Sequence, residues 1–427
     1  ASAGIVTAIG SLYASPNKLS AKSYSRIIGA NDRLNFAFQG LGRRIPGLLR
    51  STLKLKNVDV IYFCDVMDKQ IINANKQLNK LAGYSAESEK DIHNIFDDKN
   101  IDAIIMATPD HWHAYGACKA MEAGKHVYLE KPCSHNMMES ELIVNHQKYF
   151  KKVVQMGNQQ RSSTHTNSII KKIHDGIIGN AYNAVAFYNN NRGRVPNQVP
   201  MSPPKGLDWN LFQGPAPRRN YTHDTWDYNW RWYGWDYGTG EAGNNATHEL
   251  DIARWALDVN YPISVNVFAD KNHFLDDGWT MYDNMEAKFK FSKNKSINWN
   301  GRSRNAFGKN RDGGRGTIIY GTEGSVFVNR KEYILYDIKG NVIDNVKSND
   351  NESGIALGGG GDMTTRHMQN FVDSIRHGDT LNSPIDDAVI SQSLVHYANI
   401  SYRSDRSFNI DEKSGKIKDT KAKKFWS

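Results

Sequence analysis

Along the first 160 residues, short apolar runs alternate with longer stretches of helical periodicity. Leu34–Phe38, Val58–Cys64, Ile101–Met106, His126–Leu129 and Lys151–Met156 read as buried strands. Between them, Gln70–Ala82, Trp112–Ala123 closed by Gly124, and Asn136–Tyr149 repeat as helices, and Asp91–Phe96 as a short helix or turn. Strand, helix, strand in regular succession predicts right-handed crossovers and a doubly wound parallel sheet, with Lys151–Met156 as its sixth strand.

Past residue 161 the pattern changes. Thr166–Asp175 is a helix ended by Gly176, and Ala181–Asn189 alternates as a strand. Arg192–Arg219 holds six of the 12 prolines, so no long element is expected there. Pro262–His273, Thr280–Phe291, Ser296–Arg302, Gly316–Tyr320, Ser325–Asn329 and Glu332–Asp337 read as strands joined by short turns. Arg366–Ile375 and Asp386–Tyr402 read as amphipathic helices. The reading is α/β: an N-terminal Rossmann sheet plus a C-terminal α+β domain with a large, mostly antiparallel open sheet. Its domains run over 31–161 and 162–403, flanked by an arm over 1–30 and a basic tail over 404–427 ordered only near Phe425 and Trp426. The open sheet face is expected to serve a homodimer or homotetramer, and Asp350–Asp362, with Gly358–Gly361, to be a mobile loop or lid.

Composition narrows this little. The 427 residues are 39% hydrophobic and 23% charged, as in ordinary globular proteins. No apolar run is long enough to span a bilayer. The net charge of +9 would suit nucleic acid, but six lysines crowd residues 413–427 and no nucleic-acid motif accompanies them. Three cysteines make no disulfide framework; Cys64 and Cys118 read as core, and Cys133 as a small side chain or a reactive thiol. Residues 1–14 are apolar and small, like the apolar region and cleavage zone of an export signal, with the twin-arginine route and a periplasmic location as the natural expectation. The alternative is a strap-like arm on a cytoplasmic protein.

Candidate chemistry sits at strand ends. After the first strand, Gly40-Leu41-Gly42-Arg43-Arg44-Ile45 resembles the dinucleotide loop, without its third glycine. Gly40 permits the turn and Gly42 lets the backbone approach a pyrophosphate. Asp65 ends the second strand 25 residues after Gly40, near the roughly 20 expected for the carboxylate that holds ribose hydroxyls. It would repel a 2′-phosphate, which favours NAD over NADP, although Arg43 and Arg44 argue the other way and Asp65 has a helix N-cap as its plain alternative. Asn158 and Arg161 follow the sixth strand at the same edge, Asn158 toward nicotinamide or substrate. Arg161 suits an anionic or hydroxyl-rich substrate or, equally, a salt bridge. Trp226–Trp235 carries four of the 10 tryptophans among Asn, Arg and Asp, a composition suited to carbohydrate as well as to structural packing.

Two further loops carry a resemblance. Ala107-Thr108-Pro109-Asp110-His111-Trp112-His113-Ala114, followed at this spacing by Glu130-Lys131-Pro132, resembles the Gfo/Idh/MocA oxidoreductases over roughly Asn31 to Arg403. The resemblance implies that Thr108, Pro109 and His113 touch cofactor, with Glu130 beside it, and that Lys131 is the proton shuttle. His248 matches the family's second acid/base residue, but Asn244 stands where its aspartate is expected; Asn can orient an imidazole without stabilising its cation. Substrate contacts are expected from Arg161, Tyr188, Trp230, Arg231, Asn244 and His248. His111 and His113 form no metal site for lack of a third ligand. The expected activity is NAD-dependent hydride transfer from a sugar or cyclic polyol. The alternatives are an NAD-dependent glycoside hydrolase, which the tryptophan-rich segment and Gly243–His248 resemble and Glu130-Lys131-Pro132 does not, and a dinucleotide sensor without turnover.

Overall fold

The computed structural model describes residues 33–223, 225–307, 314–348 and 362–427. The export-type segment and the glycine-rich loop at 358–361 lie outside the described residues. Leu34–Ser427 forms one unit.

The first sheet contains β1 (Leu34–Gln39), β2 (Val58–Cys64), β3 (Glu87–Glu89), β4 (Ala103–Met106), β5 (His126–Leu129) and β6 (Val154–Met156). All pair in parallel in the order 3-2-1-4-5-6. Strands buried on both faces must be apolar on both, and Phe36, Phe38, Ile104 and Ile105 are fully buried. Helices α1 (Ile45–Thr52), α2 (Asp68–Ala82), α3 (Asp110–Glu122) and α4 (Met137–Phe150) supply the crossovers. The order reverses between β1 and β4, which opens a crevice at their carboxyl ends.

The second sheet is mixed and mostly antiparallel. Its members are β7 (Ala181–Asn189), β8 (Ser264–Asp270), β9 (Asn284–Lys290), β10 (Ser296–Arg302), β11 (Arg315–Gly321), β12 (Gly324–Val328), β13 (Glu332–Asp337), β14 (Val342–Lys347) and β15 (Phe408–Asn409). The order is 14-13-12-11-7-10-9-8-15, and only β7 and β10 pair in parallel. Alternation such as that of β9, where Met285, Ala287 and Phe289 are buried and Glu286, Lys288 and Lys290 exposed, turns one face to a helical layer. That layer is α5 (Thr164–His174), α6 (Thr247–Leu257) and much of α8 (Ile385–Ser404).

Three features depart from the sequence reading. Helix α7 (Asp362–His377), expected beside the second sheet, packs Met368, Phe371 and Val372 into the core of the first. The first turn of α8 also joins a first-sheet core through Ile385, Ala388 and Val389. The lysine-rich end is ordered well beyond Phe425: β15 pairs with β8, and Ile410, Ile417, Ala422 and Trp426 are buried. Among the described residues no helix is long and apolar enough to cross a membrane.

Candidate active site

The crevice floor is built by the β1 turn. Gly40 has φ of 80°, and a Cβ there would lie 2.7 Å from the Thr108 nitrogen, so backbone conformation and the approach of the β4 loop both require glycine. At Gly42 a Cβ would meet nothing within 4 Å; the space above it is open, as a dinucleotide cradle requires. Leu41 buries its side chain and donates its N–H to Asp65 Oδ2 at 2.6 Å, while Met67 donates to Asp65 Oδ1 at 2.9 Å. Burial pushes the Asp65 carboxyl up to about 6 against those two hydrogen bonds. Ile45, in place of the third glycine, is buried among apolar side chains of the α1 face.

The crevice is lined by Gly40, Gly42, Arg43, Asp65, Thr108 and Pro109 from the first half, and by Trp226, Tyr228, Trp230 and Arg231 from the second. Arg43 reaches across to Asp227 at 3.1 Å and lies 4.2 Å from the Tyr228 ring. The tryptophan-rich segment therefore forms one wall of this crevice. Its deeper members are structural: Trp232 stacks on Trp279 at 4.2 Å, nearly parallel.

Pro109 caps α3, whose first turn carries Asp110, His111 and His113, all buried. Asp110 accepts hydrogen bonds from Thr239 N at 3.0 Å and Thr239 Oγ1 at 2.7 Å. His111 meets the carbonyls of Phe212 and Tyr237, and burial lowers it to about 4. His113 meets the carbonyls of Pro132 and Thr108 at 2.5 and 3.0 Å and is also lowered by burial. These rings hold the two loops together. The contact of His113 is with the Thr108 backbone, so it stands behind the crevice wall, not in it. Cys133 is buried, and burial pushes its thiol up to about 12.

At the end of β5, Glu130 accepts from Arg44 Nε and Gln159 Nε2, both at 2.8 Å. Lys131 donates from Nζ to the Asn244 carbonyl at 2.5 Å. Burial, then the nearby Arg231, lowers Lys131 to about 8, with Glu130 and Asp110 pulling the other way. Asn244 lies in a wide helical turn, Ala242–Ala246, that leads into α6. Its amide nitrogen donates to Glu241 Oε1 at 3.2 Å, and among the described residues no hydrogen bond joins Asn244 to His248. Burial, then Arg330 and Lys131, hold His248 well below its ordinary value; it is a neutral imidazole, not a group titrating near neutrality.

Arg161 is committed elsewhere. Its Nε and NH2 bind the two Asp251 oxygens at 2.8 and 2.7 Å, and NH1 binds Asp387 at 3.0 Å. These three contacts commit the buried guanidinium to two carboxylates, and Arg161 is not among the residues that line the crevice. Tyr188 is buried on β7, its hydroxyl accepting from Asn190 at 2.6 Å. Asn158 is buried with both amide atoms unpartnered, and so are Thr108 Oγ1 and Gln39 Oε1 beside the crevice. Such orphaned polar atoms fit a polar ligand that completes them.

Glu241 was missed in the sequence, although it lies one helical turn before Asn244. It accepts from Asn244 and Asn245 and pairs with Arg192 Nε at 2.7 Å. The carboxylate expected at 244 thus stands three residues earlier, neutralised by an arginine. Among the described residues no group of His, Cys, Asp and Glu is arranged to hold a metal.

Two family models match the chain: an oxidoreductase family NAD-binding Rossmann fold over residues 34–158, and an oxidoreductase family C-terminal alpha/beta domain over 215–410. The chain belongs to the Gfo/Idh/MocA family. A glycosyl hydrolase family 109 protein of Shewanella pealeana is 27% identical over 197 residues, 44% of this chain and 43% of that protein. A levoglucosan dehydrogenase of Pseudarthrobacter phenanthrenivorans is 30% identical over 194 residues, 44% of this chain and 42% of that protein. The matched stretch thus spans less than half of these relatives. The solved levoglucosan dehydrogenase in complex with NADH and levoglucosan superposes with a TM-score of 0.67 at 20% identity, covering 88% of this chain and 99% of that one. An aldose-aldose oxidoreductase of Caulobacter crescentus gives 0.65 at 16%, covering 88% and 100%. At these identities the likeness is one of fold.

Proposed function

We propose that this Gfo/Idh/MocA chain oxidises a hydroxyl-bearing carbon of a sugar or cyclic polyol with NAD, Lys131 accepting the hydroxyl proton. The observation that supports this most is the Lys131 amine, depressed to about 8 and hydrogen-bonded to the Asn244 carbonyl beside an open dinucleotide crevice. Gly42, Thr108 and Asn158 fit the cofactor through the open cradle and the unpartnered polar atoms. Asp65 favours NAD over NADP, since a 2′-phosphate would face its half-buried carboxylate in the crevice. When bound, nicotinamide supplies the hydride acceptor for the alcohol carbon.

The chain's own part is proton handling and shielding. An alcohol is too weak an acid to lose its proton to water at neutral pH, so a base must be positioned. Lys131, unprotonated in a fair fraction near pH 8, takes that proton at Nζ, and Asn244 keeps the amine in place. His248, neutral, hydrogen-bonds a hydroxyl without taking a second charge. The wall from Trp226 to Arg231 keeps water from the crevice. The test is NADH formation from NAD with a panel of sugars and polyols; no formation with any of them counts against the reading.

The second reading is redox-neutral glycoside cleavage with a resident cofactor. It is favoured by the wall that spans the crevice from the second half of the chain, and by the glycosyl hydrolase family 109 relatives. Release of the aryl group from aryl glycosides without net NADH would select it.

A further inference from the structure

Three carboxylates around the site are held by arginines, and a fourth, Asp110, is hydrogen-bonded to Thr239 and attracts both Arg231 and Lys131 without pairing with either. Glu130 is held by Arg44, Glu241 by Arg192, and Glu249 by a bidentate contact with Arg315 at 2.7 and 2.8 Å. Arg231 is different. It lines the crevice half-buried, its guanidinium 3.9 Å from the Trp230 ring and 4.3 Å from the Tyr228 ring. Among the described residues its guanidinium has no hydrogen bond and no ion pair. Two aromatic faces hold a cation in place, yet they do not neutralise it. A second cation, Lys131, stands near enough to repel it, although Glu130 and Asp110 partly offset the charge of that amine.

We propose that Arg231 receives an anionic substituent of the sugar, a carboxylate or a sulfate ester, so that the substrate class is acidic sugars rather than neutral ones. This rests on the reading that the crevice oxidises a sugar carbinol. A planar guanidinium fork fits a carboxylate with two parallel hydrogen bonds, and weak hydration makes it the cation best suited to a partly buried site. Cofactor phosphates are the rival anion. Arg43, next to Gly42, and Arg231 lie on the same Tyr228 ring, at 4.2 and 4.3 Å; what favours the sugar is that Arg231 also acts on Lys131, and NADH affinity in the Arg231 variant separates the two anions. An anion beside Arg231 also stabilises the ammonium that Lys131 becomes when it takes the hydroxyl proton.

The experiment is calorimetric titration of the NADH-saturated protein with glucuronate, galacturonate, a sulfated glucose, and the neutral parents glucose and galactose. We expect at least one acid to bind about tenfold or more tighter than its parent, an advantage that shrinks as salt rises. Arg231→Gln brings acid and parent within about threefold, while NADH affinity, read by its fluorescence, falls less than that. Arg231→Lys keeps the charge and loses the fork; it weakens carboxylates more than sulfates, and serves if the Gln variant does not fold. Preference in the uronate arm or in the sulfate arm identifies which anion is bound. Equal binding of acids and parents, or of neither, overturns the proposal. So does an Arg231→Gln protein that loses NADH affinity and keeps its sugar preference. NADH formation from neutral sugars in those cases leaves the oxidoreductase reading standing.

Discussion

Lys131 shows how a residue's surroundings set what it can do. An exposed lysine is protonated near neutrality and useless as a base. Burial and Arg231 bring this one to about 8, so its free-amine form becomes abundant in a useful range. If Lys131 is the base proposed above, sugar oxidation needs the amine unprotonated, so its rate rises with pH and levels above about 8, and the reverse reduction runs the other way. Lys131→Met removes that inflection and lowers oxidation by roughly 10²–10⁴-fold, with NADH binding retained; pH-rate profiles of both directions check this. Arg161 is the counter-case. Arg161→Met leaves the buried Asp251 without its ion pair, while Asp387 keeps Arg254, and costs about 3–5 kcal/mol, measured by urea unfolding, rather than raising KM. Burial would raise Asp251, but Arg161 outweighs it and holds the carboxyl below the ordinary range. That contribution is present above about pH 4 and is lost as pH falls through the depressed value, so the gap between wild type and variant narrows in acid. Lys131 could be singled out as a candidate because a short motif contains it. The duty of Arg161 was not legible, because Asp251 and Asp387 lie 90 and 226 residues away in sequence and only folding brings them together.

Elements were read well wherever the local pattern is strong, and poorly where pairing makes them. Val58–Cys64, His126–Leu129, Ala181–Asn189 and Ser296–Arg302 have the bounds expected from apolar runs and alternation. β3, β14 and β15 were not expected. Glu87–Glu89 and Val342–Lys347 are edge-side and mostly exposed, and two-residue β15 exists only because β8 offers it a partner. The β1 turn allows a test at this scale, because its two glycines serve different ends. Gly40→Ala strains a φ of 80° and drives a Cβ into the Thr108 backbone, so thermal unfolding falls sharply. Gly42→Ala meets no protein atom, so its melting temperature stays near wild type while NADH affinity drops about tenfold or more. A Gly42→Ala protein that binds NADH normally would show that the cradle is not where the pyrophosphate rests.

At the scale of the whole molecule, the two sheets are less separate than a two-part reading of the chain suggests. Helix α7 leaves the second half to bury Phe371 against the first sheet. His367 ties it to β6 through the Met156 carbonyl at 2.9 Å, and Gln155 donates to the His367 carbonyl at 2.7 Å. The chain's end binds the halves a second time. The Trp426 carbonyl accepts from Met138 at the start of α4, its ring lies 4.8 Å from the Lys416 amine, and its side chain is buried with the second-sheet core. Six lysines within fifteen residues hid this strap in the sequence, since composition reports charge and not the apolar residues spaced between. Trp426→Ala removes a large buried ring and costs about 3–5 kcal/mol. Because α7 and the strap join both layers, that loss is not confined to the C-terminal sheet. Urea unfolding followed by tryptophan fluorescence and by NADH binding shifts to lower midpoint together in the variant, and the two curves coincide in wild type. Separate transitions, with NADH binding untouched while the fluorescence midpoint falls, would mean that the dinucleotide half stands without the strap.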